Sequence, residues 1–374
     1  MEKVKNKLNF IYILKFISSI LIAVFLHWND HLIKNLGYEN ISKFRPFKFL
    51  TTKTYILVEL FFIISGLLFY IMSSKKIKNN EIKFKDLFIK KIARLLPVII
   101  FSTIFIFICN FILYIFNKDL WSCGTTSLFE LFLGLFGGRI TLSGISALNG
   151  PIWYVSMYLL CIIIAYYLTK KSVKYGDKVF LIPILVSLII FYNFMDVPMF
   201  GASLVRSLSS FFIGIFVGKF IILYEDFSLK NKVFTKIVSF IFLSLFVLCF
   251  IFNRVEAFYY PETYSYSLFV FTPLIIFLYG FKHLNKILSF KFFKFLGDIS
   301  YSIYIWNFPI LIVMHMLYVF KIYKFNVYSY KLFVLLFIIH IIVSILSYLF
   351  IEKKFKNIKF KFIDKLLNME VKWK

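Results

Sequence analysis

In an overwhelmingly apolar chain, the few residues that could do chemistry fall into two sets. The first comprises His27, Glu59, Arg206 and Trp153. A neutral imidazole near pH 7 can take a proton from a hydroxyl, so His27 is a candidate general base. Glu59 is suited to orient it, and Arg206 and the Ser65 hydroxyl are further polar groups set in apolar runs. The second set is cationic. The stretch KDLFIKKIARLLP (85–97) spaces Lys91 and Arg94 as i, i+3, so on a helix they project from one face. Gly297, Asp298, Ser300 and Tyr301 open a later apolar run, and a Lys/Arg face beside a helix start suits a phosphate-bearing ligand. Lys15 lies in LKFISSILIAVFLHWND (14–30), on the same apolar run as His27.

Plainer readings stand beside these. Lys91 and Arg94 also fit as ordinary basic anchors at a membrane surface, and Trp153 and the helix-end tyrosines as an aromatic belt. His27 at a helix end also fits as a residue meeting interfacial water. Glu59 and Arg206 also fit as a structural ion pair between helices. His283, His315 and His340 have no acidic neighbour in sequence and read as packing or interface residues.

The elements that must position these groups are membrane helices. Of 374 residues 61% are hydrophobic and 22% aromatic, and only 17% are charged. A soluble domain would be about half apolar and a quarter charged. Runs of roughly 17–24 apolar residues recur along the chain, each able to cross a hydrocarbon core of ~30 Å. The pattern predicts an all-α, polytopic bundle of about ten helices, near 9–28, 54–73, 95–117, 152–169, 179–195, 205–224, 237–252, 266–281, 296–318 and 332–351. With the N-terminus in the cytoplasm, 30 Lys and Arg fall in inner segments and 11 in outer ones, which predicts N-in, C-in topology.

The same charge distribution accounts for the net +26 without nucleic acid, because the basic residues sit in short gaps between apolar runs. On this topology His27, Glu59, Arg206 and Trp153 share one depth near the outer surface, and Lys91, Arg94, Ser300 and Tyr301 share an inner one. Cys109, Cys123, Cys161 and Cys249 are scattered without a CxxC pair, so neither a disulfide framework nor a metal site is expected. The segment 127–138 is apolar but too short to span and reads as an interfacial or re-entrant helix. The expected organisation is one transmembrane domain over 9–351 and a basic cytoplasmic tail over 352–374, with no separate soluble domain.

Seven segments in order resemble acyltransferase family 3, the integral-membrane acyltransferases: LKFISSILIAVFLH, VELFFIISGLLF, FIKKIARLLP, GPIWYVS, VRSLSSFFIGIFVG, LGDISYSIYIWNFPIL and SILSYLFIEKKFK. They cover residues 14 to 356. The resemblance implies an O-acyltransferase moving a short acyl group, often acetyl, from cytoplasmic acyl-CoA to a hydroxyl of an envelope or exported polysaccharide or its lipid-linked precursor. It implies His27 as the catalytic histidine and Lys91 and Arg94 as the holders of the donor's phosphates. Lys15, Ser65, Trp153, Arg206, Ser300, Tyr301 and Asn307 stand in supporting places.

The chain departs from the family pattern at four places. Helix 1 has Lys15 with eleven residues before His27, where the family has Arg with ten, a rotation of about 100° on an ideal helix. The basic pair begins with Lys rather than Arg, and the fourth helix lacks a Glu after Trp153. The usual Trp-His of the ninth helix is Trp306-Asn307. The expected setting is a bacterial plasma membrane, with acyl-CoA, a carbohydrate and the bilayer as partners, no bound cofactor, and either this domain or a partner protein completing the transfer. The rival class is a transporter or flippase for a lipid-linked sugar or an acyl group, which the lack of a visible two-fold repeat disfavours.

Overall fold

The structure, a computed structural model, describes residues 7–27, 54–121, 126–135, 148–193, 201–228, 240–244, 266–325 and 329–357, together with Val4, Ile237 and Tyr264. Among them all regular structure is helical. The helices used below are α1 (Phe10–Leu26), α2 (Thr54–Lys78), α3 (Phe84–Ile115), α4 (Leu128–Leu135), α5 (Ile152–Tyr175) and α6 (Leu181–Asn193). They continue with α7 (Ala202–Ser228), α8 (Tyr266–Gly280), α9 (Lys282–Ile287), α10 (Lys291–Val319) and α11 (Tyr330–Ser347). The last runs on through a π turn, Tyr348–Glu352, into Lys353–Asn357.

Six of these, α2, α3, α5, α7, α10 and α11, are long and apolar enough to cross a membrane, and α1 and α8 are shorter apolar helices. The expected span 237–252 and the expected tail beyond residue 357 lie largely outside the described residues. Expected boundaries shift where the basic flanks join the helices. The segment expected to precede the third span is its first turns: α3 begins at Phe84 and carries Lys91, Arg94 and Pro97 within one continuous helix. A proline inside a helix costs about 3 kcal/mol when isolated, but is tolerated where neighbouring helices hold the chain. Lys91 and Arg94 are thereby fixed to a rigid element.

Polar contacts sort the helix ends into two groups. At the near end, where α1 begins, Lys7 donates to Glu225 at 2.6 Å, as does the Tyr279 hydroxyl at 2.7 Å. Asn9 donates to the Asn285 carbonyl at 3.2 Å. Asp177, just before α6, pairs with Lys78 at 2.8 Å and Lys219 at 3.1 Å. Burial pushes the Asp177 carboxyl up, but the two ammonium groups outweigh it and hold it below its ordinary value. Gly297, near the start of α10, packs against Tyr12 of α1 at this same end.

The α2–α7 crossing sets the register of the site. A Cβ on Gly66 would sit 1.9 Å from the Phe211 carbonyl oxygen, and one on Gly214 2.1 Å from that of Ile63. Only glycine lets these backbones touch, the device by which small residues bring membrane helices together. The crossing aligns Glu59 on α2 with Arg206 on α7.

Candidate active site

Helices α1, α2, α3, α5 and α10 enclose a cavity of 420 Å³. Its cationic wall is Lys15 from α1 with Lys90, Lys91 and Arg94 from α3; among the described residues no carboxylate lines it, although Asp298, between the lining residues Gly297 and Ser300, lies close enough to act on the Lys15 charge. Among the described residues none of these four makes an ion pair. Ser300 and Tyr301 of α10 complete the near side, with the Tyr301 hydroxyl donating to the Leu95 carbonyl at 2.8 Å. Ser65, Phe61, Tyr154, Tyr158 and Tyr304 line the deeper part. Ser65 and the Tyr154 hydroxyl share a hydrogen bond of 3.1 Å, and the Lys91 ammonium sits 5.9 Å from the Tyr158 ring centroid.

Lys15 therefore shares its cavity with the α3 cations. Its extra residue of spacing from His27 has a structural answer. α1 passes into a π turn over Leu21–Leu26, immediately before His27. Bonds from i to i+5 take up one more residue per turn than α-helical ones. Twelve α-helical steps would leave Lys15 and His27 about 120° apart. With one residue absorbed they turn like eleven steps, leaving about 20°. The rotation expected from an ideal helix is thus largely cancelled.

At the far end, where α1 ends, His27 Nδ1 and the Asn307 side-chain amide of α10 are hydrogen-bonded. The His27 ring stands edge-on to Phe308 at 5.2 Å. The other end of the Asn307 amide is 3.4 Å from His340 Nε2, and His340 Nδ1 donates to the Leu336 carbonyl one turn back at 2.7 Å. Asn307 and His340 are wholly buried. Glu59, also wholly buried, engages Arg206 through both carboxylate oxygens. Arg206 also donates to the Tyr55 carbonyl at 2.8 Å and stacks over Trp153 at 5.1 Å.

The expectation that Glu59 orients His27 is corrected here. The guanidinium takes the carboxylate in a two-pronged grip, the geometry that suits Arg best, and Asn307 supplies the bond to His27 Nδ1. Trp153 packs on Arg206 rather than serving only at a membrane surface. The remaining expected residues divide cleanly. Lys15, Ser65, Lys91, Arg94, Ser300 and Tyr301 share the cavity, whereas Asn307 joins His27.

Sequence reasoning missed His340, which reads as a lone histidine in LFVLLFIIHIIVSILS. It also missed Tyr154 and Tyr304, whose rings stand 5.8 Å apart between the two ends. Tyr304 lines the cavity and Asn307 follows three residues later, a rise of about 4.5 Å. The deep end of the cavity and the His27 cluster are thus on consecutive turns of α10.

An all-helical bundle with six helices able to cross a bilayer, holding ionisable groups in its interior, is a multi-pass membrane protein with an internal polar site. Residues 8–352 match acyltransferase family 3, an acyltransferase domain, and the chain belongs to that family. No curated protein and no solved structure matches it.

Proposed function

We propose that this membrane acyltransferase is an O-acyltransferase of the bacterial plasma membrane. It takes a short acyl group, acetyl foremost, from cytoplasmic acyl-CoA and places it on a carbohydrate hydroxyl of an envelope or exported polysaccharide or its lipid-linked precursor. In this reading about ten helices cross the membrane, both termini are cytoplasmic, and the near end faces the cytoplasm.

One observation carries the reading: a cavity walled by four cations, with no carboxylate among its described lining residues, ends about one helical turn short of the His27 cluster. Lys91 and Arg94, with Lys15, hold the donor's phosphates at the near end. The pantetheine arm follows the tyrosine-lined part toward Tyr304 and presents the thioester to the far end. The acceptor hydroxyl gives its proton to His27 as its oxygen attacks the thioester carbonyl. In this reading the hydrogen-bonded Ser65 and Tyr154 hydroxyls, which line the cavity, donate to the developing oxyanion. When the intermediate collapses, the C–S bond breaks, the ester forms, and His27 returns the proton to the departing CoA sulfur. Arg206 stands apart from these steps, and with Glu59 and Trp153 it braces α2, α5 and α7 around the acceptor mouth.

Mass spectrometry of envelope glycans from a deletion strain tests this. The deletion should remove an acyl ester that the wild-type gene restores. His27→Ala should leave the ester missing, a loss of about 10²–10⁴-fold in rate, at normal membrane levels of the protein. Full acylation by the variant removes His27 from the mechanism, and transport of a lipid-linked sugar without any ester favours the transporter class.

A further inference from the structure

The chain lacks the expected histidine after Trp306, yet the fold brings a histidine to that place from α11. We infer that His340, acting through the Asn307 amide, sets the tautomer of His27 so that Nε2 is the nitrogen that accepts the proton. The inference rests on the reading of His27 as general base.

The bonding order follows from one fixed end. The Leu336 carbonyl only accepts, so His340 Nδ1, 2.7 Å away, carries a proton. The ring is wholly buried in an apolar helix, where a charged imidazolium is strongly disfavoured. His340 is therefore neutral, and its Nε2 presents a lone pair. The Asn307 amide faces that lone pair at 3.4 Å and must offer an N–H to it. Its oxygen then turns to His27, whose Nδ1 must be the protonated nitrogen. The proton-accepting lone pair of His27 is left on Nε2.

In the structure the amide nitrogen faces His27 and the oxygen faces His340. That arrangement asks His340 to donate from both ring nitrogens, which requires a buried cation. A half-turn of the amide about its Cβ–Cγ bond satisfies all three partners with neutral rings. The two ends of an amide are told apart by such neighbours. Phe308, packed edge-on to His27, holds the ring plane in place. Asn307 and His340 are thus positioning residues: they act on the reaction through His27.

The test compares His340→Leu, His340→Gln and Asn307→Leu with wild type in proteoliposomes, measuring kcat and both KM values for transfer from acetyl-CoA. Gln reaches the place of Nε2 with an oxygen that can accept from Asn307, whereas Leu fills the space without an acceptor. His340→Leu and Asn307→Leu should lower kcat by at least about tenfold with both KM values unchanged, as loss of the correct tautomer does elsewhere. His340→Gln should recover most of the rate. Equal losses with Leu and Gln, or none with Leu, overturn the inference.

A second measurement reads the tautomer in the wild-type protein itself. In ¹⁵N-histidine spectra of the wild-type protein, the His27 ring, assigned by its loss in His27→Ala, should show a protonated Nδ1 and an unprotonated Nε2. The opposite tautomer overturns the relay. Full activity of His27→Ala instead fails the general-base reading, and the ¹⁵N spectrum still reports separately on the relay.

Discussion

The two polar ends of the site treat charge in opposite ways. The near-end cavity gathers four cations, none of them in an ion pair among the described residues, with Asp298 the one nearby carboxylate that acts on Lys15. At the far end Glu59 is gripped by Arg206, and His27 is hydrogen-bonded to the Asn307 amide. An uncompensated charge inside a membrane protein is costly and persists where a ligand or water answers it. A cluster that must take up and return a proton works best with a neutral ring in a fixed tautomer. On the proposed function, the contrast separates binding of an anionic donor from proton transfer.

The contrast breaks first at Glu59. Glu59→Gln leaves the largely buried Arg206 guanidinium without its counter-charge, a loss of up to about 3–5 kcal/mol. Thermal unfolding in detergent should show a large drop, and adding Arg206→Met should recover most of it. A variant as stable as wild type but inactive would return Glu59 to the chemistry. The near end is sharpened by Lys91→Ala with Arg94→Ala. Each charge-assisted bond contributes about 1.5–3 kcal/mol, so KM for acyl-CoA should rise on the order of 10²-fold while KM for the acceptor holds. The opposite pattern removes the donor assignment.

The smallest effect lies outside the cavity, at Asp177. Its carboxyl is held below its ordinary value of 3.8, so its stabilising contribution is present above that value and lost as pH falls through the lower folded-state value. Asp177→Asn should therefore melt slightly earlier than wild type at neutral pH, and the two curves should converge in strong acid. A gap that persists in acid would assign the effect to packing instead of charge.

Much of this was legible in the sequence because membranes impose a coarse pattern. Apolar runs marked the long helices, and the i, i+3 spacing of Lys91 and Arg94 marked the cationic face. The Glu59–Arg206 pair could be weighed as an ion pair because both residues are conspicuous in apolar helices. What stayed hidden depends on register and packing. The π turn at Leu21–Leu26 is a choice of hydrogen bond that leaves no mark in residue types, yet it restores the alignment of Lys15 with His27. His340 and Asn307 are 33 residues apart in the chain and meet only because α10 packs on α11. Their pairing is invisible to periodicity, since a lone His on an apolar helix is ordinarily core.

The most direct test of a donor site and an acceptor site on opposite faces uses sealed, oriented proteoliposomes. Acetyl-labelled acetyl-CoA is supplied only at the near-end face and a membrane-impermeant carbohydrate acceptor only at the far-end face. Label should appear as an ester on the carbohydrate across the bilayer, and should vanish when the two compartments are exchanged. Transfer that requires donor and acceptor on the same face, or that proceeds equally in either arrangement, would contradict the separation of the two ends.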